Sequence, residues 1–218
     1  MGKCIIFCAA DFHGLIEPLA QDDYIIAADG GLAHVEAAGL TPHAILGDFD
    51  SLGYTPTGST VFPVEKDDTD AMLAVRKGLE LGYKEFYLYG SLDGPRLDHT
   101  VANFQTLQFL CDHDAFGYLI GKDYVVTALQ NGTICFPASC TGIFSVFCIG
   151  TDAEGVTIHG GKYDAENVTL SAGFPLGVSN HFTGKESCIR VREGTLLVLW
   201  ERKCGLPVQA ICDGVELM

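Results

Sequence analysis

Three acidic clusters in the first third of the chain carry the residue types that bind metal ions and phosphates. Asp29 lies in ADGG, Asp48 and Asp50 lie in GDFDS, and Asp67 and Asp70 lie in KDDTD. Each cluster occurs where a predicted strand gives way to a loop or a helix. Because the carboxyl ends of parallel strands line the ligand crevice of an open sheet, we expect the three segments to direct carboxylates toward one place.

The convergence of these carboxylates predicts a divalent cation. Two carboxylates about 4 Å apart repel each other by roughly 1 kcal/mol in water and about 4 kcal/mol at an effective dielectric constant of about 20. Mg²⁺ relieves this repulsion and prefers oxygen ligands. Asp48 and Asp50 are two residues apart, so an extended backbone points both side chains the same way, and they are the first predicted ligands. Simpler roles stay open for others, since Asp67 also suits a helix N-cap and Asp29 a turn.

A fourth cluster, GSLDGPRLDHTVAN, follows the predicted strand EFYLYG. Glycines between a strand and a helix direct backbone N–H groups toward an anion, and Arg96 can hold two phosphate oxygens. Asp98 and His99 open the predicted helix, with Asn103 one turn beyond His99 on the same face. Asp98 as a simple helix cap stays an alternative. The chain has no GxxxxGK[ST] sequence, which excludes a P-loop kinase.

The first half of the chain alternates apolar strands with helical patterns. This order predicts an α/β domain over residues 1–122, with a parallel Rossmann-like sheet and helices on both faces. In the helix DHTVANFQTLQFLC, the spacing predicts an apolar face. That face consists of Val101, Phe104, Leu107 and Cys111.

The second half, residues 123–218, changes to short β-type runs separated by turn signals. This pattern of short strands and turns predicts an antiparallel β-sandwich. Within it, the REG segment at 192–194 predicts a hairpin turn between two strands. The tail from Lys203 onward fits either an extra strand or a loose end.

Composition excludes several classes of protein. The formal net charge is −15, which disfavours a long nucleic acid as the main ligand, although a metal ion can carry the charge of a nucleotide. The nine cysteines show no CxxC pair, and several, such as Cys4, Cys8 and Cys148, lie in apolar runs. They predict buried reduced thiols in a cytoplasmic protein. No apolar run approaches the length of a bilayer span, so no membrane partner is expected.

The ordered set ADGG, GDFDS, DxTD, GPRLDHTVAN and GVSNHFTG resembles the thiamine pyrophosphokinase family, from about Lys3 to Arg202. The resemblance implies a nucleotide-binding catalytic α/β domain, a thiamine-binding β-sandwich and a homodimer with its site shared between subunits. It implies Mg²⁺ as cofactor and ATP and thiamine as substrates. Two departures occur: Gly94-Pro95-Arg96 replaces Gly-Gly-Arg, and Tyr163-Asp164-Ala165 replaces Tyr-Pro-Leu.

The same resemblance assigns roles residue by residue. The implied metal ligands are Asp48, Asp50 and Asp70, and the implied catalytic residues are Asp70, Arg96 and Asp98. Thiamine is implied to contact Ser179 and Asn180, which by sequence alone would form an ordinary turn. For the nucleotide and its pyrophosphate we predict a larger set of contacts, in which the resemblance accounts for the aspartates and the arginine: Asp29, Gly30, Gly31, Asp67, Thr69, Arg96, His99 and Asn103.

The implied reaction is attack of the thiamine hydroxyl on the β-phosphorus of ATP, with AMP leaving. Either Asp98 or Asp70 would orient that hydroxyl or accept its proton, and the sequence does not choose between them. Two other functions stay open at this point. One is a pyrophosphokinase for another hydroxymethyl heterocycle, such as a pterin, and the other is a non-catalytic nucleotide or thiamine sensor. Retention of Asp48, Asp50, Asp70 and Arg96 favours an enzyme.

We expect Asp48→Asn and Asp50→Asn each to abolish turnover and to weaken Mg²⁺-dependent ATP binding, because each removes one carboxylate from the predicted metal site. Activity assays and ATP titrations with and without Mg²⁺ measure both effects, and circular dichroism checks that the fold is intact. Near-normal activity in both variants would contradict the assignment.

Overall fold

The structure of the chain, a computed structural model, describes residues 2–47, 58, 60–61, 68–212 and 215–217. Asp48, Asp50 and Asp67 therefore lie outside the described residues. The chain divides into two compact units, Met1–Lys122 and Asp123–Met218. Within the described ranges, no helix has both the length and the apolar character to cross a membrane.

Within its described ranges, the first unit contains six parallel strands of one sheet in the order β6-β5-β1-β2-β3-β4. Strands β1, β5 and β6 are apolar and almost entirely buried, as expected where both faces of a parallel sheet are covered. The predicted α/β class is confirmed. The strands are β1 Cys4–Phe7, β2 Tyr24–Ala28, β3 Ala44–Gly47, β4 Thr60–Val61, β5 Glu85–Tyr89 and β6 Phe116–Ile120.

Among the described residues of this unit, three helices connect the strands: α1 Gly31–Ala37, α2 Asp70–Glu80 and α3 Leu97–Cys111. Thr69 begins α2 as its N-cap, because its hydroxyl accepts a hydrogen bond from the Met72 N–H at 3.2 Å. The N-cap position of α3 is Arg96, whose side chain makes no cap hydrogen bond. Asp98 lies in the first turn instead, where its Oδ1 accepts a hydrogen bond from the His99 N–H at 3.0 Å, so it satisfies one N–H group of the helix start without being the N-cap.

The predicted apolar face of α3 is also wrong in part. Val101 is 50% exposed, whereas the buried residues of the helix are Asn103, Thr106, Leu107 and Leu110. The polar members of this face are satisfied locally, because Asn103 donates to the Ser91 carbonyl and Thr106 to the Ala102 carbonyl. Hydrogen bonding, rather than hydrophobicity alone, thus decides which face of the helix is turned inward.

The second unit is built from antiparallel strands in two sheets, which confirms the predicted β-rich second half. One group has the order β12-β9-β14-β7 and the other the order β11-β10-β13-β8-β15-β16. The tail supplies an extra strand, since β15 pairs with β8. The strands are β7 Tyr124–Gln130, β8 Gly132–Phe136, β9 Ile143–Cys148, β10 Ala153–His159, β11 Ala165–Leu170, β12 Asn180–His181, β13 Ser187–Arg190, β14 Thr195–Glu201, β15 Gln209–Cys212 and β16 Val215–Leu217, with a 3₁₀ turn at Arg202–Cys204.

The predicted REG hairpin is wrong. The strand before it, β13, pairs with β8 and β10, whereas the strand after it, β14, pairs with β7 and β9 in the other sheet. The segment therefore crosses between sheets. A second crossing at Asn131 lies beside it, because Asn131 and Gly194 exchange hydrogen bonds of 3.2 Å and 3.0 Å. A turn sequence predicts that the chain reverses direction, but it does not predict which strand the following segment pairs with.

The cysteines differ in part from the predicted reduced thiols. Cys135 and Cys188 face each other on β8 and β13 and form a disulfide. Cys4 and Cys8 are buried free thiols, and burial raises the pKa of each to about 12. Both therefore stay protonated at neutral pH.

Packing of α2 on the sheet depends on Gly78. A Cβ built there would lie 2.4 Å from the Phe86 ring and 2.8 Å from the Cys4 sulfur. We expect Gly78→Ala to lower the free energy of unfolding by about 1–2 kcal/mol. Overpacking costs about 1–3 kcal/mol, and an approach of 2.4 Å favours the upper part of that range, about 2–3 kcal/mol, which exceeds the gain of about 1 kcal/mol in helix propensity.

Denaturant titration measures this change. Lys77→Ala, at the neighbouring and partly exposed position, is the control and should shift stability by less than about 0.5 kcal/mol. A Gly78→Ala protein as stable as the parent would show that α2 does not approach the sheet this closely.

Candidate active site

The pocket of the first unit lies where the sheet reverses its strand order. From β1 the chain continues to β2 on one side, and from β5 it continues to β6 on the other. Loops that leave adjacent parallel strands in opposite directions open a crevice at their carboxyl ends. The crevice is a cavity of about 230 Å³. Its lining residues come from the ends of β1, β2 and β5 and from the starts of α2 and α3: Cys8, Ala9, Ala10, Ala28, Asp29, Thr69, Asp70, Ala71, Gly90, Ser91, Gly94, Pro95, Arg96, His99, Thr100 and Asn103.

Asp29 is held at the end of β2 in an unusual backbone conformation. Its φ is +48°, in the left-handed region that aspartate adopts more readily than most residues. Its N–H donates to the Leu46 carbonyl at 2.7 Å, and its carbonyl accepts from the Leu32 N–H at 3.2 Å. Only 8% of the residue is exposed. Its backbone is therefore fixed on both sides while it lines the pocket.

The start of α2 supplies a second carboxylate to the pocket wall. Thr69 and Asp70 both line the cavity, and Asp70 lies in the first turn of α2, where the helix dipole favours negative charge. The pKa of the Cys8 thiol is raised mainly by burial and further by the charge of Asp70. The Asp70 carboxylate thus lies close enough to the end of β1 to affect the pKa of Cys8, although the two segments are far apart in sequence.

The segment 90–96, here called the phosphate loop, leaves β5 through Gly90. Gly90 has φ +62°, and a Cβ there would lie 2.5 Å from the carbonyl oxygens of Ala10 and Cys8. A Cβ on Gly94 would lie 2.8 Å from the Ala10 Cβ. The loop therefore lies directly against the segment that follows β1, and glycine is required at its first residue for both conformation and space.

The phosphate loop turns its carbonyl groups toward α3. Asn103 Nδ2 donates to the Ser91 carbonyl at 2.8 Å, and Thr100 Oγ1 donates to the Leu92 carbonyl at 3.2 Å. No described residue accepts a hydrogen bond from the backbone N–H groups of Ser91, Leu92, Asp93 and Gly94. Consecutive N–H groups of this kind are suited to bind an anion.

Arg96 and Asp98 form a two-point ion pair at the end of the phosphate loop. Arg96 Nη2 lies 2.6 Å from Asp98 Oδ2, and Arg96 Nε lies 3.2 Å from Asp98 Oδ1. The hydrogen bond from Arg96 lowers the pKa of Asp98 to about 2, so Asp98 is ionised at neutral pH. Both side chains are 64% exposed, and the other N–H donors of Arg96 remain available to a ligand.

The structure brings together part of the predicted site. Asp29, Thr69, Asp70, Arg96, His99 and Asn103 all line one cavity. Gly30 and Gly31 do not line it. Instead, a Cβ on Gly31 would lie 1.9 Å from the Phe7 carbonyl oxygen, so this glycine allows α1 to pack on β1. Asp98 does not line the cavity either, but it forms an ion pair with Arg96, which does.

Sequence reasoning missed the segment after β1, namely Cys8, Ala9 and Ala10. These small residues carry no charge and form no motif, so nothing in their types points to a ligand. Their position was nevertheless available from the pattern, because they directly follow a predicted buried strand. In an open parallel sheet, that position borders the crevice.

In the second unit, Ser179 and Asn180 differ sharply from each other. Ser179 is exposed, has φ +60° and donates its N–H to Ser145 Oγ at 3.0 Å. Asn180 is 5% exposed, and its amide bonds the backbone of Tyr163 at 3.0 Å and 2.7 Å. The Asn180 oxygen also accepts from the His181 N–H at 2.8 Å. The Asn180 side chain therefore secures the fold of this segment.

Comparison with known proteins gives consistent matches to both units. Residues 17–115 match the family described as thiamin pyrophosphokinase, catalytic domain. Residues 133–196 match the one described as thiamin pyrophosphokinase, vitamin B1 binding domain. Among curated relatives, the thiamine pyrophosphokinase of Bacillus subtilis (strain 168) is 26% identical over 190 residues, which cover 80% of this chain and 85% of that protein. Thiamin pyrophosphokinase 1 of Caenorhabditis elegans is 26% identical over 175 residues, covering 73% and 72%.

Solved structures show the same fold. The crystal structure of thiamine pyrophosphokinase from Bacillus subtilis superposes with a TM-score of 0.79 at 23% identity and covers 90% of this chain and 97% of that one. Thiamin pyrophosphokinase from Candida albicans gives a TM-score of 0.71 at 14% identity, with 92% and 88% covered. At these identities, the likeness establishes the fold.

We expect Arg96→Ala to raise the pKa of Asp98 from about 2 toward the ordinary value of about 4, because the hydrogen bond that stabilises the carboxylate is lost. Any stability that the pair contributes should be present above that ordinary value and lost as the pH falls through about 2. NMR titration of side-chain carboxyl carbons measures the pKa, with Asp98→Asn to assign the signal. Arg192→Ala removes a remote ion pair with Glu154 and should leave Asp98 unchanged. An unaltered Asp98 titration in Arg96→Ala would contradict the ion pair.

Proposed function

The chain belongs to the thiamin pyrophosphokinase family, and from this premise we propose how its pocket performs pyrophosphoryl transfer. As a thiamine pyrophosphokinase it transfers the terminal pyrophosphoryl group of ATP to thiamine, which yields thiamine diphosphate and AMP. The observation that carries the proposal is the meeting of Asp29, Asp70 and Arg96 around one crevice beside a loop of available backbone N–H groups.

We place the phosphates of ATP against the phosphate loop. The N–H groups of Ser91 and Gly94, which line the cavity, would supply neutral donors, and Arg96 would supply a positive charge in the same wall. Phosphoryl chemistry depends on positioning and charge stabilisation more than on covalent participation of the protein. Arg96 therefore serves best near the oxygen that bridges the α- and β-phosphorus, where negative charge grows as AMP departs. His99 and Asn103, both in α3, line the same cavity and would contact the bound ATP from that side.

The donor set of the pocket fits Mg²⁺. This ion uses one or two protein carboxylates and leaves its other positions to water and phosphate oxygens, and both Asp29 and Asp70 line the cavity. Within the described residues, no group of three or more potential ligands is close enough to hold a metal by itself. We propose that Asp48 and Asp50 complete the set with Asp70, and that Asp67 lies near the pyrophosphate. When bound, the ion neutralises phosphate oxygens and holds them in position.

Asp98 and Asp70 are the two candidates to orient the thiamine hydroxyl or accept its proton. We propose that Asp70 accepts the proton. Asp98 is held at a pKa of about 2 by Arg96, which makes it a poor proton acceptor and suits it to holding Arg96 in place. Asp70 lines the cavity itself. In the proposed step the thiamine oxygen bonds to the β-phosphorus, the bond from that phosphorus to the bridging oxygen breaks, and AMP leaves with that oxygen. The hydroxyl proton passes to Asp70.

For thiamine we propose the second unit, with Ser179 as the contact and Asn180 as the residue that shapes the segment. Thiamine is a cation, so an acidic protein with a net charge of −15 suits it. The same unit exposes large apolar side chains close to Ser179 in sequence. Phe174 is 65% exposed and Leu176 62%. Exposed apolar clusters of this kind mark contact surfaces.

These exposed side chains support a homodimer in which each site combines the first unit of one subunit with the second unit of the other. Light scattering of the active full-length chain at micromolar concentration tests this, and an active monomer would exclude it. We also place the enzyme in the cytoplasm, as expected from the sequence, and cell fractionation tests this.

We expect ATP and thiamine to yield AMP and thiamine diphosphate in equal amounts, because attack occurs at the β-phosphorus. An ATP analogue with an α,β-methylene bridge should bind without reacting, since the bond to be broken has been replaced. A β,γ-methylene analogue should still transfer its intact terminal pair. Chromatography of the nucleotides and mass analysis of the thiamine products measure all three results. Stoichiometric ADP, or reaction of the α,β-methylene analogue, would show that the mechanism is wrong.

A further inference from the structure

We propose that Asp93 is a positioning residue of the active site, which fastens the outer side of the phosphate loop to the last residues of the first unit. The inference rests on the nucleotide site proposed above. Asp93 is distinct among the charged residues of the loop. Arg96 lines the cavity together with Gly90, Ser91 and Gly94, whereas Asp93 does not.

The Asp93 carboxylate faces away from the pocket and has its own partners. The Lys122 N–H donates to Asp93 Oδ2 at 2.5 Å. His13 Nε2 lies 3.8 Å from the same oxygen, and both of these side chains are partly exposed. Lys122 is the last residue of the first unit, and His13 lies in the segment after β1. One carboxylate therefore links the phosphate loop to two segments that are distant in sequence.

Gly121 provides an independent sign of the same contact. A Cβ built there would lie 2.6 Å from Asp93 Oδ2 and 3.1 Å from the Leu92 Cβ. The backbone of Gly121 therefore lies against the outer side of the loop, with no room for a side chain between them. On the inner side, Thr100 and Asn103 hold the loop carbonyl groups. The loop is thus fixed between α3 and the end of the first unit.

The outward orientation of Asp93 also has an electrostatic consequence. A carboxylate directed into the pocket about 4 Å from a phosphate would repel it, and the repulsion energy becomes several-fold larger when water is excluded from the pocket. The contact with the Lys122 N–H keeps this acid on the far side of the loop. The same contact, together with the bonds from Thr100 and Asn103, fixes the loop whose residues line part of the cavity. Asp93 therefore acts on the ligand through the loop and not by touching it.

Binding of the unreactive α,β-methylene analogue of ATP with Mg²⁺, measured by calorimetry, tests the inference. We expect Asp93→Ala to weaken binding about tenfold, the effect of losing one charge-assisted hydrogen bond. Asp93→Asn retains an oxygen that can accept from the Lys122 N–H and should recover most of the affinity. Gly121→Ala should mimic Asp93→Ala, because it displaces the loop from the opposite side. In turnover assays, the KM for ATP should rise while the KM for thiamine is unchanged.

Asp23→Ala is the matched structural control. The Asp23 carboxylate also accepts from backbone N–H groups, those of Lys3 and Ala20, both at 2.8 Å. It precedes β2, at the end of the sheet opposite the pocket. Its loss should lower the melting temperature without changing analogue affinity.

The outcomes separate the inference from the proposed function. If the unaltered chain does not bind the analogue, the proposed nucleotide site fails. If it binds and Asp93→Ala binds within twofold of it, the positioning role is overturned. The role is equally overturned if Asp93→Asn binds no better than Asp93→Ala, or if the KM for thiamine rises as much as the KM for ATP.

Discussion

The close approach of backbone segments at the carboxyl ends of β5, β1 and β2 underlies the whole pocket. Gly90 allows the phosphate loop to lie on the segment after β1, and Gly31 allows α1 to pack against the end of that strand. Side chains at either position would push these segments apart, because a Cβ would lie 2.5 Å from carbonyl oxygens at Gly90 and 1.9 Å from one at Gly31. The crevice that these segments border at the strand switch point would then be wider. Space at a few glycines therefore determines the geometry on which the chemistry depends.

Charge is the second constraint, because an acidic pocket has to accept an anionic ligand. Asp29 and Asp70 line the cavity, and Arg96 is the cationic side chain among its lining residues. The structure separates the remaining acids by role. Asp98 is committed to Arg96, and Asp93 is turned outward toward the Lys122 N–H. The two lining carboxylates are then suited to a metal ion, which would bring the positive charge that the side chains lack.

The second unit shows how one residue can serve the fold at a position where family resemblance implies ligand contact. The amide of Asn180 bonds both backbone groups of Tyr163, and a Cβ on Gly161 would lie 2.9 Å from its nitrogen. These contacts fix the backbone of Ser179, which is exposed and has a left-handed conformation. In this pair, Ser179 is thus the exposed residue, and the buried Asn180 holds the backbone of the segment in place.

The sequence by itself determined the class of fold, the change from α/β to β texture, and the order of the motifs that identify the family. These features are local, since a strand end, a helix cap or a GPRLDH segment is encoded by adjacent residues. The tertiary structure decided what local patterns cannot encode. It turned Asn103 and Thr106 of α3 inward in place of Val101, and sent the chain at residues 192–194 into the other sheet rather than into a hairpin. It also brought Cys8 to Ala10 into the pocket and turned Asp93 away from it. Each of these outcomes depends on partners far apart in the chain, whose proximity arises only when the strands pair and the helices pack.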